Sequence, residues 1–244
     1  MINFQDLRTL ERGVIEVIRT TGSFYQVGSL IQAVNHTSAN PNSLVRGSKI
    51  DLHLGFTLPT KLREDGNKEV ERMFHIGCLA VKDDSNDHIS QLSYSVLIDK
   101  GGTSEKAVER KFHFDFEPSS NPNRSGEPKP SHHLQMCGCL SDYHVQQGYE
   151  DEHIKHLYPS LSKPRIPTQP TSLALLLNWL FIEFGSNNPS ILIAQKDHRW
   201  RKIVREAEKQ VLYPYYKECA DFFSSHANDN MSFTDAKLYE KGTG

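Results

Sequence analysis

From Ile50 onward the chain alternates. Ile50, Leu52, Leu54, Phe56 and Leu58 are apolar, and Asp51, His53, Gly55 and Thr57 fall between them. A period of two predicts a strand with one buried face. Pro59 is read as its stop, and Asp65-Gly66-Asn67 as a turn. The same period returns at 70–82, with Phe74, Ile76, Cys78 and Ala80 in phase, and again near 89–99, with Leu92, Tyr94, Val96 and Ile98 in phase. Polar turns separate these runs. A fourth strand is predicted at about 108–117 and a fifth at about 131–138. The connections are too short for crossover helices, so the strands form an antiparallel meander.

On either side the period changes. Phe4, Leu7, Leu10, Val14, Val17 and Ile18 recur at helical steps, predicting an amphipathic helix over 4–19. A second short helix is expected at 24–35 and a polar loop at 36–48. After 148 the pattern is helical again. Lys163 to Pro170 carries three prolines and reads as an extended linker. Thr171 or Ser172 caps an apolar helix that ends at Phe184-Gly185 and is apolar on nearly every side, so it should be buried. A last helix runs from about 191 through Trp200 and Val211, with Pro214 expected to kink or end it. The expected fold class is α+β: a meander of about five strands packed against an N-terminal helix and a C-terminal helical third. One domain over 1–225 is expected, with the sheet at about 49–140, the helices at about 148–225, and a polar, frayed tail at 226–244.

Composition narrows the class. The 244 residues carry a net charge of −2, which gives no global basic field for nucleic acid. The four cysteines, Cys78, Cys137, Cys139 and Cys219, are too sparse for a secreted disulfide scaffold. Charges interrupt the N-terminal residues, so no signal peptide is read there. The longest apolar run, Leu173–Phe184, is too short to span a bilayer. A reducing cytoplasm is the expected compartment, with no membrane partner.

One constellation could carry chemistry. On the fourth strand Lys111, His113, Asp115 and Glu117 share a face opposite Phe112, Phe114 and Phe116. Matching those phenylalanines to Leu134 and Met136 sets the parity of the hairpin, which brings His133, Gln135 and Cys137 onto the face of His113, Asp115 and Glu117. His113, Asp115, Glu117 and His133 then form a candidate catalytic cluster, fit for a divalent metal or for general acid–base work. The outer face of an antiparallel sheet is polar in any case, so polarity alone does not make a site.

Other groupings compete. His133, Cys137, Cys139 and His144 supply four nitrogen and sulfur ligands for zinc, though the usual C-x2-C knuckle is missing. A thiol–imidazole pair from the same residues is a weaker reading than structural cysteines. Glu150 and His153 have the i,i+3 spacing of carboxylate-bridged di-iron bundles, but such sites need a second motif. Arg199, Arg201, Lys202 and Arg205 form the most basic stretch and are candidate phosphate contacts. Pro167-x-x-Pro170 has the spacing of a docking element and also suits a helix start. No Walker loop, GxGxxG, HExxH or GxSxG string occurs.

Two functions follow as expectations. The first is a bacterial-type accessory protein that acts by binding a protein partner or a second copy of itself, as in defence or toxin–antitoxin modules. It rests on the absence of a complete motif and on aromatics such as Tyr213, Tyr215 and Tyr216. The alternative is a metal-assisted hydrolase, a nuclease for example, centred on His113, Asp115, Glu117 and His133.

Overall fold

The computed structural model describes residues 3–20, 45–61, 65–66, 68–100, 106–116, 132–136, 140–157, 165–185 and 188–225. The elements are α1 (Phe4–Thr20), β1 (Val45–Arg46), β2 (Lys49–Lys61), β3 (Glu69–Lys82), β4 (Ile89–Lys100), β5 (Val108–Phe116), β6 (His132–Met136), α2 (Asp142–Gln146), α3 (Asp151–Ile154), β7 (Arg165–Pro167), α4 (Leu173–Gly185), α5 (Pro189–Lys196), α6 (His198–Ala207), a π-helical turn (Glu208–Leu212) and α7 (Tyr213–Ser225). The expected helix at 24–35, the loop at 118–130 and the tail at 226–244 lie outside the described residues.

The strands make one seven-stranded sheet in sequence order, every pair antiparallel. This is the expected α+β meander with a short strand added at each end. β7 comes from the stretch read as a linker. Prolines favour extended backbone, and here Ile166 lies opposite Leu134 of β6.

The alternation sets the core. Leu52, Leu54, Phe56, Phe74, Ile76, Val96 and Ile98 are all buried on one face of the sheet. α1 lays Phe4, Leu7, Leu10, Val14, Ile15 and Ile18 against it, and α4 buries Leu173, Leu176, Leu177, Leu180 and Phe181. Phe56 and Phe74 stack at 5.1 Å, and Phe184 meets Phe74 edge-on at 5.3 Å. Trp200 of α6 closes the far side against Phe181 at 5.6 Å, its indole N–H donating to Asn178.

One expected stop is not a stop, and of the two outcomes expected at Pro214 the helix end does not occur. β2 runs through Pro59 to Lys61. Lys82 N–H donates to the Ser48 carbonyl, so even-numbered residues of β2 face β3 and odd-numbered ones face outward. Pro59 therefore sits where no ladder donor is needed. Thr168 N–H donates to the His132 carbonyl, which turns the backbone of Pro167 outward from β7 in the same way. At the other correction, the helix continues past Pro214 to Ser225. The π turn before it absorbs the proline: Tyr213 N–H reaches back to the Glu208 carbonyl, a wider ring than an α-helix uses. Gly185 is buried within α4 and is not left-handed there. An added Cβ would stand 2.7 Å from Ile191, so the glycine supplies space.

Candidate functional site

On β5 and β6, Phe112 faces Met136, His113 faces Gln135, Phe114 faces Leu134 and Asp115 faces His133. This is the register that the Phe, Leu and Met positions predict. His113, Asp115, His133 and Gln135 consequently share one side of the sheet. His113 Nε2 lies 2.9 Å from Asp115 Oδ2 and 3.0 Å from Gln135 Oε1. His133 Nε2 lies 3.6 Å from the same Asp115 oxygen. Both oxygens near His113 Nε2 are acceptors, so that nitrogen carries a proton. Gln135 and His133 are buried, and His113 and Asp115 are half-buried.

The electrostatics follow from this packing. Burial pushes the Asp115 carboxyl up. The hydrogen bond and charge of His113, the Ser93 hydroxyl and the charge of His133 outweigh it, and the group is held below its usual range. His132 points to the opposite face, stacked on Phe116 at 4.5 Å, and burial with the neighbouring His133 charge pushes it down to about 3.

Glu117, Cys137 and Cys139 lie outside the described residues. His144 is buried over β3, with Nε2 3.2 Å from the His75 carbonyl. β3 and β6 are three strand spacings apart, about 14 Å, so His133 and His144 are not brought together. Among the described residues no group of three or more His, Cys, Asp or Glu side chains is arranged to hold a metal ion. Glu150 and His153 cap α3 reciprocally: Glu150 N–H donates to His153 Nδ1 at 2.9 Å. Arg199, Arg201, Lys202 and Arg205 are exposed on α6, with Arg199 Nε 3.6 Å from Asp197. α6 packs on α1 and α4, on the core side of the sheet, whereas His113 and Asp115 lie on the other side.

Sequence reasoning missed what covers the polar face. The segment from Leu140 to Leu157 folds over β3, β4 and β5. Tyr149 donates to Asp99 at 2.7 Å and meets His75 Nε2 at 3.0 Å. Tyr149, Leu97, Val108 and Ile154 form a second small core there. Burial, with the Lys106 charge, lowers His75 to about 4, so it stays neutral. The sequence clue was the apolar spacing of Tyr143, Tyr149 and Ile154 after the last long strand.

On the core side, β5 and β6 are only partly roofed. Trp179 of α4 meets Phe112 edge-on at 5.5 Å and Phe114 at 6.3 Å, yet remains 40% exposed. Ile182, one turn on, is 54% exposed. Phe114 and Leu134 are half-buried beside them, and Tyr215 of α7 approaches His132 at 6.2 Å. No helix among the described residues is long and apolar enough to cross a membrane. No protein-family model, curated protein or solved structure matches this chain, so its geometry alone carries the functional argument.

Proposed function

We propose that this chain is an accessory protein that works by binding a protein partner, in the manner of a defence or toxin–antitoxin component, in a reducing cytoplasm. The apolar face around Trp179 is the binding surface. The supporting observation is the exposure of Trp179 and Ile182 next to half-buried Phe114 and Leu134. Large apolar and aromatic side chains left open together are what an interface core uses. Tyr213 and Tyr216, both exposed on α7, extend the aromatic character of this layer. The test is affinity capture from native cells with the wild-type chain and with Ile182→Asp. A protein held by the wild type and lost by a folded Ile182→Asp supports the reading. Capture of nothing, or equal capture by both, ends it.

A second reading, acid–base hydrolysis, draws support from the 2.9 Å contact between His113 and Asp115. In this reading the carboxylate orients the imidazole and Nδ1 is the base. A substrate bound along Arg201 and Lys202 would sit across the sheet from that base, which argues against nucleic acid held by α6 as its substrate. Equal turnover of generic ester and phosphodiester substrates by the wild type and His113→Ala would remove this reading.

A further inference from the structure

A groove of about 540 Å³ opens between α4 and α6. Asn178 is the α4 residue in its lining, and Arg201, Lys202 and Arg205 come from α6. Trp200 ties the two helices together beneath it, its Nε1–H donated to Asn178 Oδ1 at 3.3 Å. The groove is strongly cationic. α6 carries four basic side chains against one carboxylate, in a chain whose net charge is −2. Some cations nearby already have partners: Arg199 lies 3.6 Å from Asp197, and Lys209 lies 3.7 Å from Glu206. Arg201, Lys202 and Arg205 are exposed, and none of them makes an ion pair with a described residue. Glu208 is the one carboxylate in the described lining and bounds the cationic stretch at its C-terminal end.

This groove adjoins the apolar face around Trp179. Asn178 and Ile182 are four residues apart on α4, so they stand on the same side of the helix. At about 3.6 residues per turn, the order around α4 from the groove is Asn178, then Ile182, then Trp179. One continuous surface therefore has an exposed apolar strip with a cationic border. Neither half suits nucleic acid well. Trp200 is 1% exposed and its N–H is already committed, so the groove offers no aromatic face on which a base could stack. Ile182 is aliphatic, and a phosphodiester backbone gains nothing from covering it.

We propose that the partner of this face presents an acidic amphipathic helix, with its apolar side on Ile182 and Trp179 and its carboxylates over Arg201, Lys202 and Arg205. The inference rests on the partner reading and adds the chemistry of the partner. Arg201 and Arg205 are four residues apart on α6, about 6 Å along its axis. Carboxylates at i and i+4 of a second helix have the same spacing, so two acidic side chains meet two guanidinium groups in register. Arginine pairs with carboxylates through two parallel hydrogen bonds, which fixes orientation as well as adding affinity. An apolar stripe flanked by charge is the pattern of a helix laid into a groove. An added strand would need open ladder groups, and the two helices that form this groove offer none.

The experiment is a fluorescence-anisotropy titration of the full chain with three short helical peptides. All share one leucine stripe, flanked by Glu, Gln or Lys, and a thymidine oligonucleotide tests phosphate binding. Saturable binding of the Glu peptide is expected, about tenfold tighter than the Gln peptide and weakened by salt, with no binding of the Lys peptide or the oligonucleotide. Arg201→Glu combined with Arg205→Glu should remove that tenfold advantage. Both positions are exposed, and a thermal melt confirms that the variant folds. Ile182→Asp should weaken the Glu and Gln peptides alike. No saturable binding of the Glu peptide, preference for the oligonucleotide, or a Glu peptide indifferent to the double charge reversal each overturns the proposal. Equal binding of the Glu and Gln peptides, both lost in Ile182→Asp, also overturns it. So does a protein captured from native cells that Ile182→Asp loses and the double charge reversal retains. In these last two cases the partner reading stands.

Discussion

Tyr94 on β4 donates its phenol proton to Glu11 on α1 at 2.6 Å, in the middle of the apolar core. The same Glu11 oxygen accepts the Leu173 N–H at the start of α4, at 3.1 Å. The other oxygen has no hydrogen-bond partner among the described residues. One oxygen taking both donors is the arrangement of a protonated carboxyl, with the proton on its mate. Burial raises Glu11 from 4.5 to about 7 against the pull of those two hydrogen bonds.

That carboxyl makes stability depend on pH with a defined sign. The folded chain holds a proton that the unfolded chain releases, so the contribution is complete below about pH 4.5 and is lost as pH rises through about 7. The size is on the order of 3 kcal/mol. Urea unfolding of the wild type between pH 5 and 8 should show this decline, and Glu11→Gln should flatten it. A wild-type curve with no slope there would contradict a neutral buried Glu11.

Arg72 ties one end of the sheet together. Its guanidinium donates to Thr60 at 2.6 Å, to Asp65 at 2.7 Å and to Glu109 at 2.5 Å. Arg72 is buried, and Asp65 and Glu109 are mostly so. Arg72→Met strands two carboxylates and should cost about 3–5 kcal/mol in urea unfolding. A second change, Glu109→Gln, should recover part of that loss. If the two losses simply add, the pair is not coupled.

Gly185→Ala pits helix propensity against packing. Alanine gains about 1 kcal/mol over glycine in a helix interior, and less at Gly185, the last residue of α4. The new methyl meets Ile191 at 2.7 Å with two further contacts near 3 Å, an overlap that costs about 1–3 kcal/mol. Net destabilisation is expected, read as a lower melting temperature. A stabilised variant would mean that α5 moves away at little cost.

The outward prolines protect the sheet edges. Pro59→Val would add an N–H on a side of β2 that no described strand pairs at that point, and Pro167→Val would do so on β7. The double variant should self-associate at concentrations where the wild type does not, as measured by light scattering. Unchanged scattering would show that these edges are guarded by something other than proline.

Much of this was legible beforehand. Alternation located the long strands, and the Phe, Leu and Met positions set the β5–β6 register, because a slip of one residue would turn Phe112 and Phe114 out of the core. That register places His113, Asp115, His133 and Gln135 on one face. Pro59 reads as a stop because a proline ends a strand that is paired on both sides, and a local pattern does not show that β1 pairs with β2 only at Lys49 and Ile50. Nothing in the helical spacing of 4–19 marks Glu11 as buried. Its partner Tyr94 lies 83 positions away, beyond the reach of periodicity.

The sequence by itself determined which residues of each strand share a face, and in which order the strands pair. These depend on backbone geometry that repeats every two residues and on turns too short for any other connection. Only the tertiary structure decided which parts of the polar face are covered. Leu140–Leu157 buries His75 and Asp99 while leaving a hollow over Gly77 and Ser95. It also decided that Trp179 stays half open above Phe112 and Phe114. Those outcomes depend on how separate elements dock, which is set by the fit of whole surfaces and not by the spacing within any one of them.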